Sequence, residues 1–239
     1  MTTILTDGNY LIADHRVTET RGRSHRLVDL HRPASKRIGL LNDFRKKLQL
    51  FPENTIFRNP RNPKARAVAY GLAGGVREVD QVINLVESMT GCDVDARELI
   101  SSIVTVCSPR VMISLIIVFD DHTSMKTSFM PVVSETKTTT EYGVAGKFMS
   151  TGSGSTIHRT LKSLLPKDIT LEEMFILSAG SDRSTSPSYS VYGVKEKTLY
   201  MVVSPSPAEI KKKFKEIMTS RLQYDRLNIR NYVNSFEDV

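Results

Sequence analysis

The opening stretch MTTILTDGNYLIADHR, residues 1–16, decides the fold. Two extended, apolar-rich runs, Thr2–Thr6 and Tyr10–Arg16, flank Asp7-Gly8-Asn9. An Asp-Gly pair between such runs predicts a β-hairpin, since glycine supplies the positive φ that tight turns need. The same stretch carries a hydroxyl at its second residue. Removal of Met1 would place a free α-amino group, with an ordinary pKa of about 7.7–8.0, on Thr2. An amine so placed acts as general base for the hydroxyl of its own residue. A neighbouring lysine lowers the amine pKa further by charge repulsion. Met-Thr-Thr alone is an ordinary chain start, so this chemistry depends on partners elsewhere in the chain.

Further along, Lys36–Leu41 reads as extended, and a basic Pro/Asn-rich segment with Pro52, Pro60 and Pro63 comes next. Extended structure resumes at Arg66–Ala73 and stops at Gly74-Gly75. Val79, Val82, Ile83, Val86 and Met89 then fall on one helical stripe that ends at Gly91. Asp95 with Glu98 forms a capping box for a second helix through about Val106. Val111–Phe119 and Met125–Val132 predict another hairpin around Asp120–Thr123, and Val144–Met149 predicts a short strand. Ile157, Leu161, Leu164 and Leu165 mark a third helix after Thr151-Gly152-Ser153-Gly154-Ser155. Thr170 with Glu173 caps a fourth, ending near Gly180. Ser188–Val194 and Thr198–Val203 form a last hairpin, and Ser206-Pro207-Ala208-Glu209 starts a final helix. Runs of strands separated from runs of helices predict α+β architecture, with antiparallel sheets carrying helix pairs on their outer faces.

At 239 residues, with 40% hydrophobic and 25% charged residues, the chain reads as one globular domain, 1–239. No apolar run reaches the roughly 18 residues of a membrane span, and MTTILTDGNY lacks the basic start of a signal peptide. Cys92 and Cys107 read as free thiols of a reducing cytoplasm. The net charge of +7 raises the question of nucleic acid. Its main cluster is Arg45, Lys46, Lys47, Arg58, Arg61, Lys64 and Arg66 against Glu53, with few aromatics to stack bases. Lys211, Lys212, Lys213 and Lys215 read as the solvated face of the last helix. No G-x-S-x-G elbow, H-E-x-x-H or Walker loop is present. His15, His25, His31, His122 and His158 show no ligand spacing, and most of them read as surface or turn residues.

Thr2-Thr3-Ile4-Leu5, Gly8 with Ala13 through Thr18, the run KRIGLLND from Lys36, GLAGGVREVDQVINL from Gly71 and TGSGSTIHRTL from Thr151 together resemble proteasome β-type subunits. The closer likeness is to the HslV-type peptidase. The resemblance implies a four-layer αββα sandwich and a threonine peptidase or amidase that works through an ester on Thr2, without metal or cofactor. It implies Thr2 as nucleophile and base, Lys36 tuning the amine and Asp14 holding that lysine. It also implies the Gly75 N–H facing the oxyanion and Ser153 near the amine, with Asp182 and Thr185 as support. Ser186-Pro187 replaces the family's glycines there and removes a backbone donor. The segment 44–65 reads as a basic insertion at the end of the sandwich far from the site, with a helix and tail at 206–239. A homo-oligomeric ring, an unfolded-protein or peptide substrate and an ATP-dependent unfoldase are implied by the same resemblance, in a cytoplasmic setting without membrane. The competing readings are a catalytically silent relative with an assembly or binding role, and a basic nucleic-acid-binding protein.

Overall fold

The computed structural model describes residues 3–21, 24–29, 47–133, 135–161, 166, 168–181, 185–186, 188–202 and 207–221. The first hairpin forms as its turn chemistry dictates. β1 (Thr3–Thr6) pairs antiparallel with β2 (Tyr10–Asp14), Ile4 opposite Ala13 and Thr6 opposite Leu11. Gly8 sits at φ 85°, and a Cβ there would strike the His122 carbonyl. The Asp7 carboxylate accepts from the Asn9 and Tyr10 N–H groups and closes the turn. A second hairpin, β3 (Arg16–Arg21) with β4 (Ser24–Asp29), forms a two-stranded sheet of its own.

The remaining strands divide into two sheets. β5 (Leu48–Leu50), β6 (Ile56–Asn59), β7 (Asn62–Ala73), β8 (Asp93–Asp95), β9 (Ile113–Phe119), β10 (Ser124–Val132) and β11 (Glu135–Gly143) form the larger one. Its order is β11-β10-β9-β7-β6-β8, with β5 also on β7. The smaller sheet runs β12-β1-β2-β13-β14, where β12 is Met149–Gly152, β13 Tyr189–Gly193 and β14 Thr198–Val202. Every pairing is antiparallel except β6 with β8.

Alternation along the strands builds three cores. Leu115, Ile117 and Phe119 face α1 (Val76–Ser88) and α2 (Ala96–Ser102) through Val82, Ile83, Val86 and Leu99. Ile116 and Val118, on the opposite face of β9, pack with Ile4, Leu11, Ala13 and Ala73 between the sheets. β9 is therefore buried on both faces, which is why ISLIIVF is apolar at every position but Ser114. Leu5 and Ile12 face α4 (Leu171–Ser181) and α5 (Pro207–Arg221) through Phe175, Leu177, Ile210 and Phe214. At Gly71 the sheets approach so closely that a Cβ would lie 2.8 Å from Ile4 Cγ2. Among the described residues no helix is long and apolar enough to cross a membrane.

The helix starts follow their caps. The Asp95 carboxylate accepts from the Arg97 N–H at 2.8 Å. Thr170 and Glu173 exchange side-chain and backbone bonds at 3.1 and 2.9 Å, a complete capping box. The second helix reaches the region of Val106 as expected, its last turn, Ile103–Cys107, being π-helical and ending at Ser108 with φ 40°. Three expectations need correction. The strand expected at Val144–Met149 begins only at Met149; Gly146 sits in a turn, its N–H on the Asp7 carbonyl. His15 and His158 are buried, not on the surface. Residues of the 44–65 segment are strands of the main sheet: its β6–β7 turn lies at the end expected, but Lys47 lies at the other. The extended run Lys36–Leu41 and the tail after Arg221 lie outside the described residues.

Candidate functional site

β2 delivers Asp14 to its C-terminal end, beside the start of β1. The carboxylate is fully buried and its charge is compensated on three sides. Oδ1 accepts from the Thr3 N–H at 2.8 Å and from the Lys47 ammonium at 2.9 Å. Oδ2 accepts from the Ser186 N–H at 3.1 Å. Lys47 is 7% exposed, so this is an ion pair withdrawn from water. Such a pair persists only where further hydrogen bonds complete it, and the two backbone donors do so.

Lys47 reaches Asp14 because β5 is laid along the end of β7. Leu48 pairs with Gly71, and the Lys47 carbonyl accepts from the Leu72 N–H at 2.9 Å. Three residues beyond Leu72, Gly75 caps α1. A Cβ on Gly75 would collide with Glu78 Oε2 and one on Gly74 with Ile113 Cγ2, so both positions favour glycine. Neither glycine N–H donates to an acceptor among the described residues. A strand rise of about 3.3 Å per residue puts this turn roughly 10 Å along the chain from Leu72.

A second set of contacts fixes Thr3 from the other side. Its Oγ1 lies 2.5 Å from Thr185 Oγ1 and accepts from the Gly154 N–H at 3.1 Å. Gly154 opens α3 (Gly154–Leu161), and a Cβ there would collide with Thr3 Oγ1. Gly152 stands opposite Thr3 across β1 and β12, with φ 84°. Ser153 lies between these two glycines, half-buried at the mouth of α3. A cleft of about 1030 Å³ runs from here between β12 and the β10–β11 pair, lined by Ser114, Lys126, Ser128, Thr151, Gly152 and Ser155.

Of the residues expected at the site, Asp14, Gly75, Ser153 and Thr185 are described, and Asp14 and Thr185 meet through Thr3. Thr2, Lys36 and Asp182 lie outside the described residues. The lysine on Asp14 is Lys47, which in the sequence stands out only as one member of a basic cluster. Its signal is the alternation of Leu48 and Leu50 directly after it, a three-residue strand easily lost in a run of cations. Thr3 and Ser186 are further contributors that the sequence pattern does not single out. Ser186 supplies its own backbone donor to Asp14, while the donor that the Ser186-Pro187 pair costs is the N–H a proline lacks. Beside the site, His15 Nε2 lies 2.7 Å from Ser190 Oγ, and His158 Nδ1 lies 2.7 Å from Ser150 Oγ.

No family model matches the chain, and no curated protein matches it. Solved structures do. The chain is similar to Anbu from Hyphomicrobium sp. strain MC1, in a Gly-1 mutant, with TM-score 0.55 and 12% identity over 94% of this chain and 100% of that one. A second structure of Anbu from that organism matches with TM-score 0.55 and 12% identity over 90% and 92%. Anbu from Yersinia bercovieri, described as an ancestral β-subunit, matches with TM-score 0.53 and 11% identity over 92% and 95%. The fold is proteasome-related. At 11–12% identity the likeness to Anbu is one of fold and carries no activity with it. It spans nearly all of both chains.

Proposed function

We propose that the protein is a proteasome-type N-terminal threonine peptidase of four-layer αββα architecture, acting after loss of Met1. The observation that carries this reading is the buried Asp14 carboxylate, which holds the amide nitrogen of Thr3 and the Lys47 ammonium on one oxygen. That nitrogen is bonded to Thr2, so whatever fixes it positions the first residue of the processed chain. Lys47 takes the lysine role in this reading, its positive charge favouring the neutral amine, and Lys36, the lysine expected from the sequence, stands as the alternative.

In the proposed reaction the Thr2 amine accepts the proton of its own Oγ, which attacks the scissile carbonyl carbon. The resulting oxyanion is met by the free N–H groups of the Gly74-Gly75 turn, where one such donor contributes about 3 kcal/mol. Collapse breaks the C–N bond, and the amine passes its proton to the leaving nitrogen. Water, deprotonated by the same amine, hydrolyses the Thr2 ester and restores the site. Ser153 and Asp182 stand near the amine in this reading, and Thr185 supports it through Thr3. The cleft ending at Gly152 would take an extended peptide. No step calls for a metal or cofactor. An HslV-like ring of identical subunits, fed by an ATP-driven unfoldase, is the matching assembly.

Intact mass gives the first test, since a chain that keeps Met1 has no Thr2 amine. An epoxyketone, which bonds both Oγ and the amine, should then form a cyclic adduct on processed wild type and none on Thr2→Ala. Equal labelling of Thr2→Ala would sink the mechanism. Peptide turnover that survives in Lys47→Ala but not in Lys36→Ala would return the lysine role to Lys36. Retained folding with no adduct in a chain shown to begin at Thr2 would leave a silent member of the fold.

A further inference from the structure

Among the described residues β11 ends the larger sheet, with β10 as its only neighbour. It runs for nine residues without proline and pairs with β10 in unbroken register, from Val132 opposite Glu135 to Ser124 opposite Gly143. Glu135 and Lys137 through Glu141 are exposed. Edge strands left open to water are usually short, bulged or broken by proline, because their free N–H and C=O groups template pairing with another chain. β11 has none of these three protections, and its charges, Lys137 with Glu135 and Glu141, are what restricts its pairing. Its threonines are β-branched and suit a pleated surface.

The charges are arranged symmetrically. The core of the strand is Lys137-Thr138-Thr139-Thr140-Glu141. Two copies related by a two-fold axis must set outward-pointing backbone groups against each other, so opposed residues share the same parity in number. The register centred on Thr139 pairs the strand over its full length. It also sets Lys137 opposite the partner's Glu141, twice over. Centring on Thr138 would instead set Glu135 opposite the partner's Glu141, and centring on Thr140 opposes no charges. Greatest overlap and charge matching therefore select one register. Lys137 has no ion-pair partner among the described residues. Glu141 is 65% exposed and holds Lys126 only loosely, at 3.4 Å, leaving room for a second cation.

We propose that β11 is a self-pairing edge, through which two copies of this chain join antiparallel about Thr139. The two larger sheets then become one continuous sheet across the two-fold axis. This edge lies away from Asp14, although Glu141 also lines the cleft, and the inference does not depend on the peptidase reading.

Sedimentation velocity over a wide concentration range, with wild type and charge variants, tests it. Wild type should dimerise. Lys137→Glu and Glu141→Lys should each weaken the dimer about tenfold, because an opposed pair becomes a like-charge pair at both ends of the interface. The double variant K137E/E141K regains the match and should regain the dimer. The two single variants mixed in equal amounts should form the heterodimer in preference to either homodimer. Hydrogen exchange should show alternate β11 amides protected as dimer forms. A wild type that stays monomeric, single variants that associate unchanged, or a double variant that fails to recover would each overturn the proposal. The same samples treated with the epoxyketone keep the two questions apart. A dimer without adduct touches only the proposed activity, and an adduct without a dimer touches only β11.

Discussion

The two ends of β7 hold the same chemistry in opposite surroundings. At the Ala73 end, Lys47 and Asp14 form an ion pair that is 7% and 0% exposed, closed by two backbone donors. At the Asn62 end, Arg58 and Asp93 form a closer, bidentate pair that is 35% and 48% exposed. Around it Arg61 lies 3.9 Å from the Tyr142 ring centroid, and Asn62 donates to Asp121 at 2.7 Å. Distance alone would rank the outer pair as the stronger. Water reverses that ranking, since an exposed pair gains little over two solvated charges, whereas a buried one cannot lose a partner cheaply. The inner pair is therefore the one that is costly to break, and the outer one belongs to the surface.

The contrast yields a graded series of outcomes. Asp14→Ala should have the largest effect, about 3–5 kcal/mol of stability together with all turnover, because it leaves a buried ammonium and two backbone N–H groups without their acceptor. Urea unfolding followed by circular dichroism measures it, and a loss no greater than that of a surface variant would break the comparison. Lys47→Met should cost less, about 2–3 kcal/mol, since the Asp14 carboxylate keeps its two backbone donors. Turnover should nonetheless vanish, a split between stability and activity that a purely structural lysine would not show.

Gly154→Ala comes next, at about 1–3 kcal/mol, since its Cβ must displace Thr3 from a packed position. Turnover should fall more than stability does, with the drop in kcat rather than KM. Arg58→Ala should leave the urea midpoint unchanged within error. Its visible effect should be on Asp93, whose carboxyl is held below the ordinary range by the hydrogen bond from the Arg58 guanidinium. Its titration followed by NMR should move up toward the usual value of about 3.9 once the guanidinium is gone. A large stability loss in this variant would mean that the outer end of β7 is not merely surface.

The elements whose signals are local are legible in the sequence. Asp7-Gly8 closes its turn through a neighbouring carboxylate, and Thr170 with Glu173 caps α4 through residues three apart. The apolar stripe of α1 requires only its own periodicity. β11 escapes a sequence reading because its threonines and charges carry no alternation, and pairing with β10 alone makes it a strand. β12 is misplaced by such a reading for a related reason. Its bounds are set by pairing with β1, while Gly146 is held in a turn by the Asp7 carbonyl.

By itself the sequence determined the first and last hairpins, the β9–β10 hairpin, the helices with their caps, and Asp14 near the end of the second strand. It determined these because each depends on contacts within a few residues. That Lys47 meets Asp14 was decided only by the tertiary structure. In the sequence it is one cation of a basic cluster, and no local reading sets it apart. The contact rests on β5 lying antiparallel to β7, where the Lys47 carbonyl meets the Leu72 N–H and the ammonium reaches a carboxylate 33 positions away. The cost of burying that ammonium is offset only where the carboxylate and its two backbone donors already converge, and that convergence exists only in the folded chain.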